Sequence, residues 1–309
     1  MAKTVWKSGK DYIIRGIDHR CSSLPMLSTT DHRRDYSGFR YVYPVVSRRA
    51  GGVSVGINLN PNNACNWHCA YCQVPNLVRG AAPEIDVDLL ERELRAFLHE
   101  LIHGRFMAEH VPPEAQVIRD IAFSGNGEPT GSKAFAEIVE RVIGIRNEFG
   151  LEQVPIRVIT NGSLVDRPYV QAALKRLALA GGEVWFKLDG GSKADIERIN
   201  GIDLDPETHV RRLALCASLC PTWVQTCMFR WDGEMPSQLF LQAYLDMLDK
   251  AGVAALKGVL LYGVARQSFQ PEAVHLQQLD ADDELAELVQ LGAHRARRLR
   301  GSIGGREVA

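Results

Sequence analysis

Between residues 53 and 262 short apolar runs alternate with longer amphipathic ones, and this alternation limits the folds open to the chain. Candidate strands lie at 53–59, 120–124, 156–160, 183–188, 224–229 and 255–262. Candidate helices lie at 86–103, 133–149, 167–180, 206–219 and 237–251, with another at 282–298. In the first helix Leu89, Leu90, Leu94, Phe97, Leu98 and Leu101 recur near the helical period. Asp86, Asp166 with Pro168, and Asp205 with Pro206 read as helix starts; Gly104, Gly150, Gly181 and Gly252 read as stops. Strands each followed by a helix predict a parallel sheet with right-handed crossovers. Six units fall short of a closed eight-stranded ring, so the expected fold class is α/β, a partial (β/α)6 TIM-like barrel. Three segments are expected: an irregular extension at 1–52, a core at 53–266, and a helical segment with a basic tail at 267–309. Tyr36, Phe39, Tyr41 and Tyr43 are the expected packing anchors of the extension.

In parallel α/β folds function gathers at the C-terminal ends of the strands. Directly after the first candidate strand and the turn Asn60-Pro61-Asn62 stand Cys65, Cys69 and Cys72, spaced C-x3-C-x2-C. Three thiolates on one short loop can hold three corners of a four-iron cluster and leave one iron without a protein ligand. The alternative is structural zinc, which usually takes four Cys/His ligands. His68 is the available fourth, but it adjoins Cys69 and would strain a tetrahedron. A non-catalytic metal-binding barrel therefore stays open as a second class of function.

Four more polar motifs fall at strand ends. Gly125-Asn126-Gly127-Glu128-Pro129 offers glycines that admit close approach of a ligand, and acceptors for an ammonium group; its plain reading is a βα turn. Thr160-Asn161-Gly162-Ser163 supplies hydroxyl and amide groups suited to a ribose or a carboxylate, although Asn-Gly is also a common turn pair. Lys187 and Asp189 share one face of a strand and are the candidate catalytic pair, or a buried pair that compensates itself. Tyr262-Gly263-Val264-Ala265-Arg266 ends the sixth strand; Arg266, a third catalytic candidate, carries a fork suited to a carboxylate or phosphate, or to a surface salt bridge. Cys216, Cys220 and Cys227 are read as apolar core side chains rather than a second cluster.

These motifs together, with Tyr71 before the last cysteine of the triad, resemble the radical S-adenosylmethionine (SAM) superfamily over about residues 53–265. The finer wording resembles the branch that includes wyosine-type tRNA-modifying enzymes. The resemblance implies a partial barrel of the radical SAM type and a [4Fe-4S] cluster on Cys65, Cys69 and Cys72. It implies that the open iron binds the amine and carboxylate of SAM, and that reductive cleavage yields a 5′-deoxyadenosyl radical acting on a substrate. Tyr71, Gly125, Asn126, Gly127, Glu128, Thr160, Asn161, Ser163, Tyr262 and Val264 are the implied SAM contacts. An electron donor such as flavodoxin or ferredoxin is an implied partner; the substrate is a small molecule, a peptide or an RNA. Wyosine synthases carry a second cluster on cysteines upstream of the core, whereas here only Cys21 lies upstream.

The net charge of −1 gives no bulk attraction for a polyanion. Charge is nevertheless uneven. Residues 1–50 hold ten Lys/Arg against four Asp, and residues 288–309 hold five Arg against one Glu. Such arms are solvated in most proteins and contact phosphates in some. With no apolar leader and no run of about 18 apolar residues, no membrane is expected. Seven cysteines, three of them clustered, fit a reducing cytoplasm better than a disulfide scaffold.

Overall fold

The computed structural model describes residues 26–27, 38–47, 51–264, 266–279, 301–303 and 306–308. Tyr36, Cys21 and the helix expected at 282–298 lie outside them.

An antiparallel pair opens the described chain: β1 (Val42–Ser47) and β2 (Gly52–Ile57). Two short strands, β3 (Ala64–Cys65) and β4 (Val78–Arg79), pair across the cysteine loop. There follow α1 (Val87–His103), the short α2 (Phe106–His110), β5 (Ile118–Phe123), α3 (Phe135–Glu148), β6 (Ile156–Thr160) and α4 (Pro168–Leu179). The second half runs β7 (Glu183–Lys187), α5 (Lys193–Asn200), α6 (Pro206–Leu219), β8 (Thr222–Met228), β9 (Arg230–Trp231), α7 (Gln238–Ala251), β10 (Gly258–Gly263), β11 (Leu276–Gln277), β12 (Gly301–Ile303) and β13 (Arg306–Val308). The main sheet has the order β1-β2-β5-β6-β7-β8-β10-β12-β13. Within it β2, β5, β6, β7, β8 and β10 pair in parallel and curl into a half-barrel with helices outside. The α/β partial barrel expected from the alternation is the fold found.

The helices form where local chemistry favours them. Asp86 caps α1 by accepting from the Leu89 N–H, Asp205 caps α6 through Thr208, and Ser237 caps α7 through Phe240. α1 buries Leu90, Leu94, Phe97, Leu98 and Leu101 against the sheet, worth about 2 kcal/mol for each large side chain. α4 departs from expectation: its N-cap is Arg167, with no side-chain cap from Asp166.

Besides several short elements, β1 and α5 depart from the expected alternation. Part of the extension expected to be irregular is β1. Tyr41, Val42, Val45 and Val46 are buried there, and the Glu93 carboxylate accepts from the Arg40, Tyr41 and Val42 amides. This charge on the buried face of α1 fixes where the edge strand docks. The other is α5, closed by a reciprocal Ser192–Asp195 capping box and by Gly201 in the left-handed region.

Along the parallel strands residues alternate between the helical layer and the lumen. Ser54, Asp120, Ala122, Ser124, Arg157, Ile159, Trp185, Lys187, Gln225, Cys227 and Leu261 face the lumen. Its floor is polar: Arg157 bridges Asp120 and Glu183, and its guanidinium lies 4.9 Å from the Trp185 ring centroid. Among the described residues no helix is long and apolar enough to cross a membrane.

Candidate functional site

A cavity of about 380 Å³ opens at the C-terminal strand ends and runs down into the lumen. Cys65, Cys69, Tyr71, Cys72, Gly125, Asn126, Gly127, Glu128, Asn161, Lys187, Tyr262, Val264 and Arg266 all line it. Thr160, Ser163 and Asp189 stand behind that wall and act on residues that form it.

The cysteine loop is held by its backbone. His68 and Ala70 amides donate to the Asn200 and Ile199 carbonyls, and the Gly80 amide donates to the Cys65 carbonyl. From the other side Ser268 Oγ donates to the Ala70 and Cys72 carbonyls, and Gln270 Nε2 to those of Cys72 and Val74. Two sulfurs receive donors: the Trp67 amide lies 3.5 Å from Cys65 Sγ, and Asn200 Nδ2 lies 3.4 Å from Cys69 Sγ. Burial pushes the Cys65 thiol up to about 11 and the Cys69 thiol up to about 12. Such thiols favour a cationic partner that offsets the desolvation of a thiolate.

The Gly125–Glu128 turn is fitted to this loop. Asn58 Oδ1 accepts from both the Asn60 and the Asn126 amides, and Asn126 Nδ2 donates to Asn63 Oδ1 at 2.5 Å. A Cβ on Gly127 would overlap the Ala64 carbonyl and lie 2.7 Å from Asn60 Nδ2, so only glycine lets the two loops touch. Asn126 Oδ1 is buried without a hydrogen-bond partner among the described residues.

Glu128 has a more specific task than sequence reasoning gave it. Its Oε1 accepts from the Thr130 amide, the Thr130 hydroxyl at 2.5 Å and the Thr160 hydroxyl at 2.7 Å; its Oε2 accepts from the Asn161 amide at 2.7 Å. The carboxylate thus joins the turns after β5 and β6. Burial raises its pKa, opposed by those hydrogen bonds. Asn161 Nδ2 then donates to Asn66 Oδ1, and Asn66 Nδ2 to Ser163 Oγ, which ties the second turn to the residue after Cys65. Gly162, at φ 71°, sits against the Phe186 ring.

Lys187 and Asp189 do not form a direct pair. The Tyr71 hydroxyl lies between them, donating to Asp189 Oδ2 and accepting from Lys187 Nζ at 2.8 Å. Asp189 also accepts from Asn200 Nδ2 and the Cys227 amide. The carboxylate is therefore committed to holding Tyr71 against the cavity wall. Burial works against the Lys187 charge, yet Tyr262, Asp189 and Cys69 hold it above the usual lysine range. Lys187 Nζ also lies 4.7 Å from the Tyr71 ring centroid. Arg266 reaches the cavity, and its carbonyl accepts from Gln73 Nε2.

Asn58, Asn66, Asn200, His209, Ser268 and Gln270 escaped the sequence reading. Only Asn200 had a usable signal, as the last residue of a capped helix ended by glycine. His209 Nε2 lies 3.0 Å from the Lys187 carbonyl, and its ring packs on Trp67 and Phe186. Burial lowers it to about 4. A histidine lowered in the fold stabilises above its unfolded pKa of 6.5, and the gain is lost as pH falls toward 4. Wild-type protein should therefore lose about 2 kcal/mol more than His209→Phe between pH 7 and pH 5. Urea unfolding at both values checks this; parallel losses would contradict it.

Cys216 and Cys220 are buried between sheet and helices, where Cys216 Sγ accepts from the Thr222 hydroxyl and Cys220 Sγ donates to the Gly182 carbonyl. Cys227 faces the lumen on the other side of β8. Replacing all three with alanine should leave bound iron per chain unchanged and lower only stability. Half the iron lost from a folded variant would contradict that.

The donor set fits a cluster. Three thiols line one cavity with a glycine cradle opposite, a donor chemistry that suits an iron–sulfur cluster.

Over 172 residues the chain is 29% identical to UPF0026 protein slr1464 of Synechocystis sp., covering 54% of this chain and 56% of that one. A UPF0026 protein of Helicobacter pylori is 28% identical over 160 residues, covering 51% and 44%. The chain spans about half the length of these curated relatives. In structure it is similar to TYW1 with a lysine-pyruvate adduct bound (TM-score 0.54, 16% identity, 81% of this chain and 74% of that one). It is also similar to a radical SAM methyltransferase from Sphaerobacter thermophilus (TM-score 0.56, 14% identity, 81% and 65%). These likenesses concern the fold. Residues 59–239 match the Radical SAM superfamily, more than half of the sequence, and the chain belongs to that superfamily of enzymes.

Proposed function

We propose that this chain binds one [4Fe-4S] cluster through Cys65, Cys69 and Cys72 and cleaves SAM reductively to act on a substrate. The carrying observation is the convergence on one cavity of the cysteine loop, the Gly125–Glu128 turn and the Thr160–Ser163 turn. When bound on Cys65, Cys69 and Cys72, the cluster would supply the electron for reductive cleavage of the sulfonium C–S bond, giving methionine and a 5′-deoxyadenosyl radical that would act on the substrate. The protein supplies position and charge. The Gly125–Gly127 turn lines the cavity, and its backbone carbonyls are the proposed acceptors for the SAM ammonium. Asn161, which lines the same cavity, would meet the methionyl carboxylate or ribose. Tyr71, Tyr262 and the backbone to Val264 border the adenosyl half. Residues 53–266 form the catalytic unit, and a flavodoxin or ferredoxin is the proposed one-electron donor.

Anaerobic reconstitution tests the assignment. Four irons and four sulfides per chain with broad visible absorbance are expected. One zinc per chain and no iron would overturn it.

An RNA substrate, as in the wyosine branch, is a second reading. It draws on the motif wording and the basic segments at both ends, most of whose residues lie outside the described ones. RNA affinity falling steeply with salt supports it; salt-independent or absent binding removes it.

A further inference from the structure

Beneath the rim of the cavity two lumen side chains, Lys187 and Gln225, have as yet no assigned ligand. Gln225 is 2% exposed and faces the cavity, yet its carboxamide makes no hydrogen bond with any described protein group. Its carboxamide atoms are not among the fully buried polar side-chain atoms that lack a partner, so the carboxamide opens onto the cavity and is available to a ligand there. Its register partner on the neighbouring parallel strand is Lys187. Adjacent strands lie about 4.8 Å apart, so the two side chains enter the lumen side by side. Lys187 is a charged ammonium with no carboxylate at ion-pair distance among the described residues; Asp189 reaches it only through the Tyr71 hydroxyl. Of its three N–H groups one is directed at Tyr71, and the Tyr262 hydroxyl is 3.5 Å away. A third is left for the cavity. A buried ammonium held by two hydroxyls and a ring face, with no carboxylate in direct contact, favours an anion that reaches its remaining N–H.

We propose that Lys187 and Gln225 form a carboxylate-binding subsite for the substrate, below the position taken by SAM. One cation beside one neutral donor matches a group with a single negative charge shared by two oxygens. A phosphate, with a second charge and a third oxygen, would call for more donors than this pair supplies. The layer beneath cannot add a free cation, because Arg157 is committed to Asp120 and Glu183. A substrate anchored here presents its carbon skeleton upward, toward Cys227 and the adenosyl half. The subsite rests on the function proposed above and narrows its substrate class to small carboxylic acids, or to larger molecules that insert a carboxylate.

The test uses cluster-reconstituted full-length protein saturated with SAM, with acetate and inorganic phosphate as probes followed by ligand-observed NMR. Iron content and SAM affinity are measured on the same samples, so failure of the cluster assignment is seen separately. Acetate should bind saturably to wild type and at least tenfold more weakly to Gln225→Leu and Lys187→Met. Gln225→Leu should keep its iron and a SAM affinity within twofold of wild type. Four outcomes overturn the proposal: acetate binding unchanged in Gln225→Leu, as for an amide satisfied only by water; phosphate binding more tightly than acetate; acetate excluded once SAM is bound; or a tenfold loss of SAM affinity in Gln225→Leu, which would assign the pair to the cofactor.

Discussion

Replacing Cys65, Cys69 and Cys72 together with alanine is expected to leave a folded chain that holds no cluster iron and cleaves no SAM above background. Folding should survive because the loop is tied through its backbone: His68 and Ala70 to the end of α5, Gly80 to the Cys65 carbonyl, and Ser268 and Gln270 to the Cys72 carbonyl. The sulfurs add little packing beyond the partly buried Cys69 contact. Iron and sulfide assays beside circular dichroism check this. Four irons retained per chain in the triple variant would place the cluster elsewhere.

The second large effect should come from Glu128→Ala. One buried carboxylate takes four donors from two turns, and its removal leaves the Asn161 and Thr130 amides and two hydroxyls without their acceptor. Stability should fall by about 3 kcal/mol. SAM affinity should fall at least tenfold, because Asn161 loses its register with Asn66 and the Cys65 loop, while cluster iron is retained. Glu128→Gln should lie between, since a carboxamide keeps one acceptor oxygen but turns an N–H2 toward donors. Denaturant unfolding and equilibrium dialysis of SAM measure both effects. Wild-type SAM affinity in Glu128→Ala would show that the two turns hold their places without it.

The barrel was legible because its signals are local. Leucine spacing in α1, Asp and Pro at the start of α6 and Ser237 before α7 each report the backbone within a few residues. The cysteine spacing and the two Gly-containing turns were legible for the same reason. What stayed hidden depends on partners distant in sequence. β1 is set by Glu93, about fifty residues downstream, which reads in sequence as one more charge on a helix. The roles of Lys187 and Asp189 turn on Tyr71, more than a hundred residues upstream; the sequence placed both on one strand face but could not show a phenol between them. α5 is short and rich in charge, so its apolar stripe is weak, although its Ser-x-x-Asp capping box was there to be read. Gln225 carries no motif and stands out only once a cavity surrounds it.

The central claim is that this cysteine loop directs an electron into one particular bond of SAM. Chromatography of an anaerobic reaction holding reconstituted protein, dithionite and SAM, beside the triple cysteine variant, tests it most directly. The account predicts 5′-deoxyadenosine and methionine, formed slowly without substrate and absent from the variant. Methylthioadenosine in place of 5′-deoxyadenosine would mean that a different bond breaks, and would contradict it.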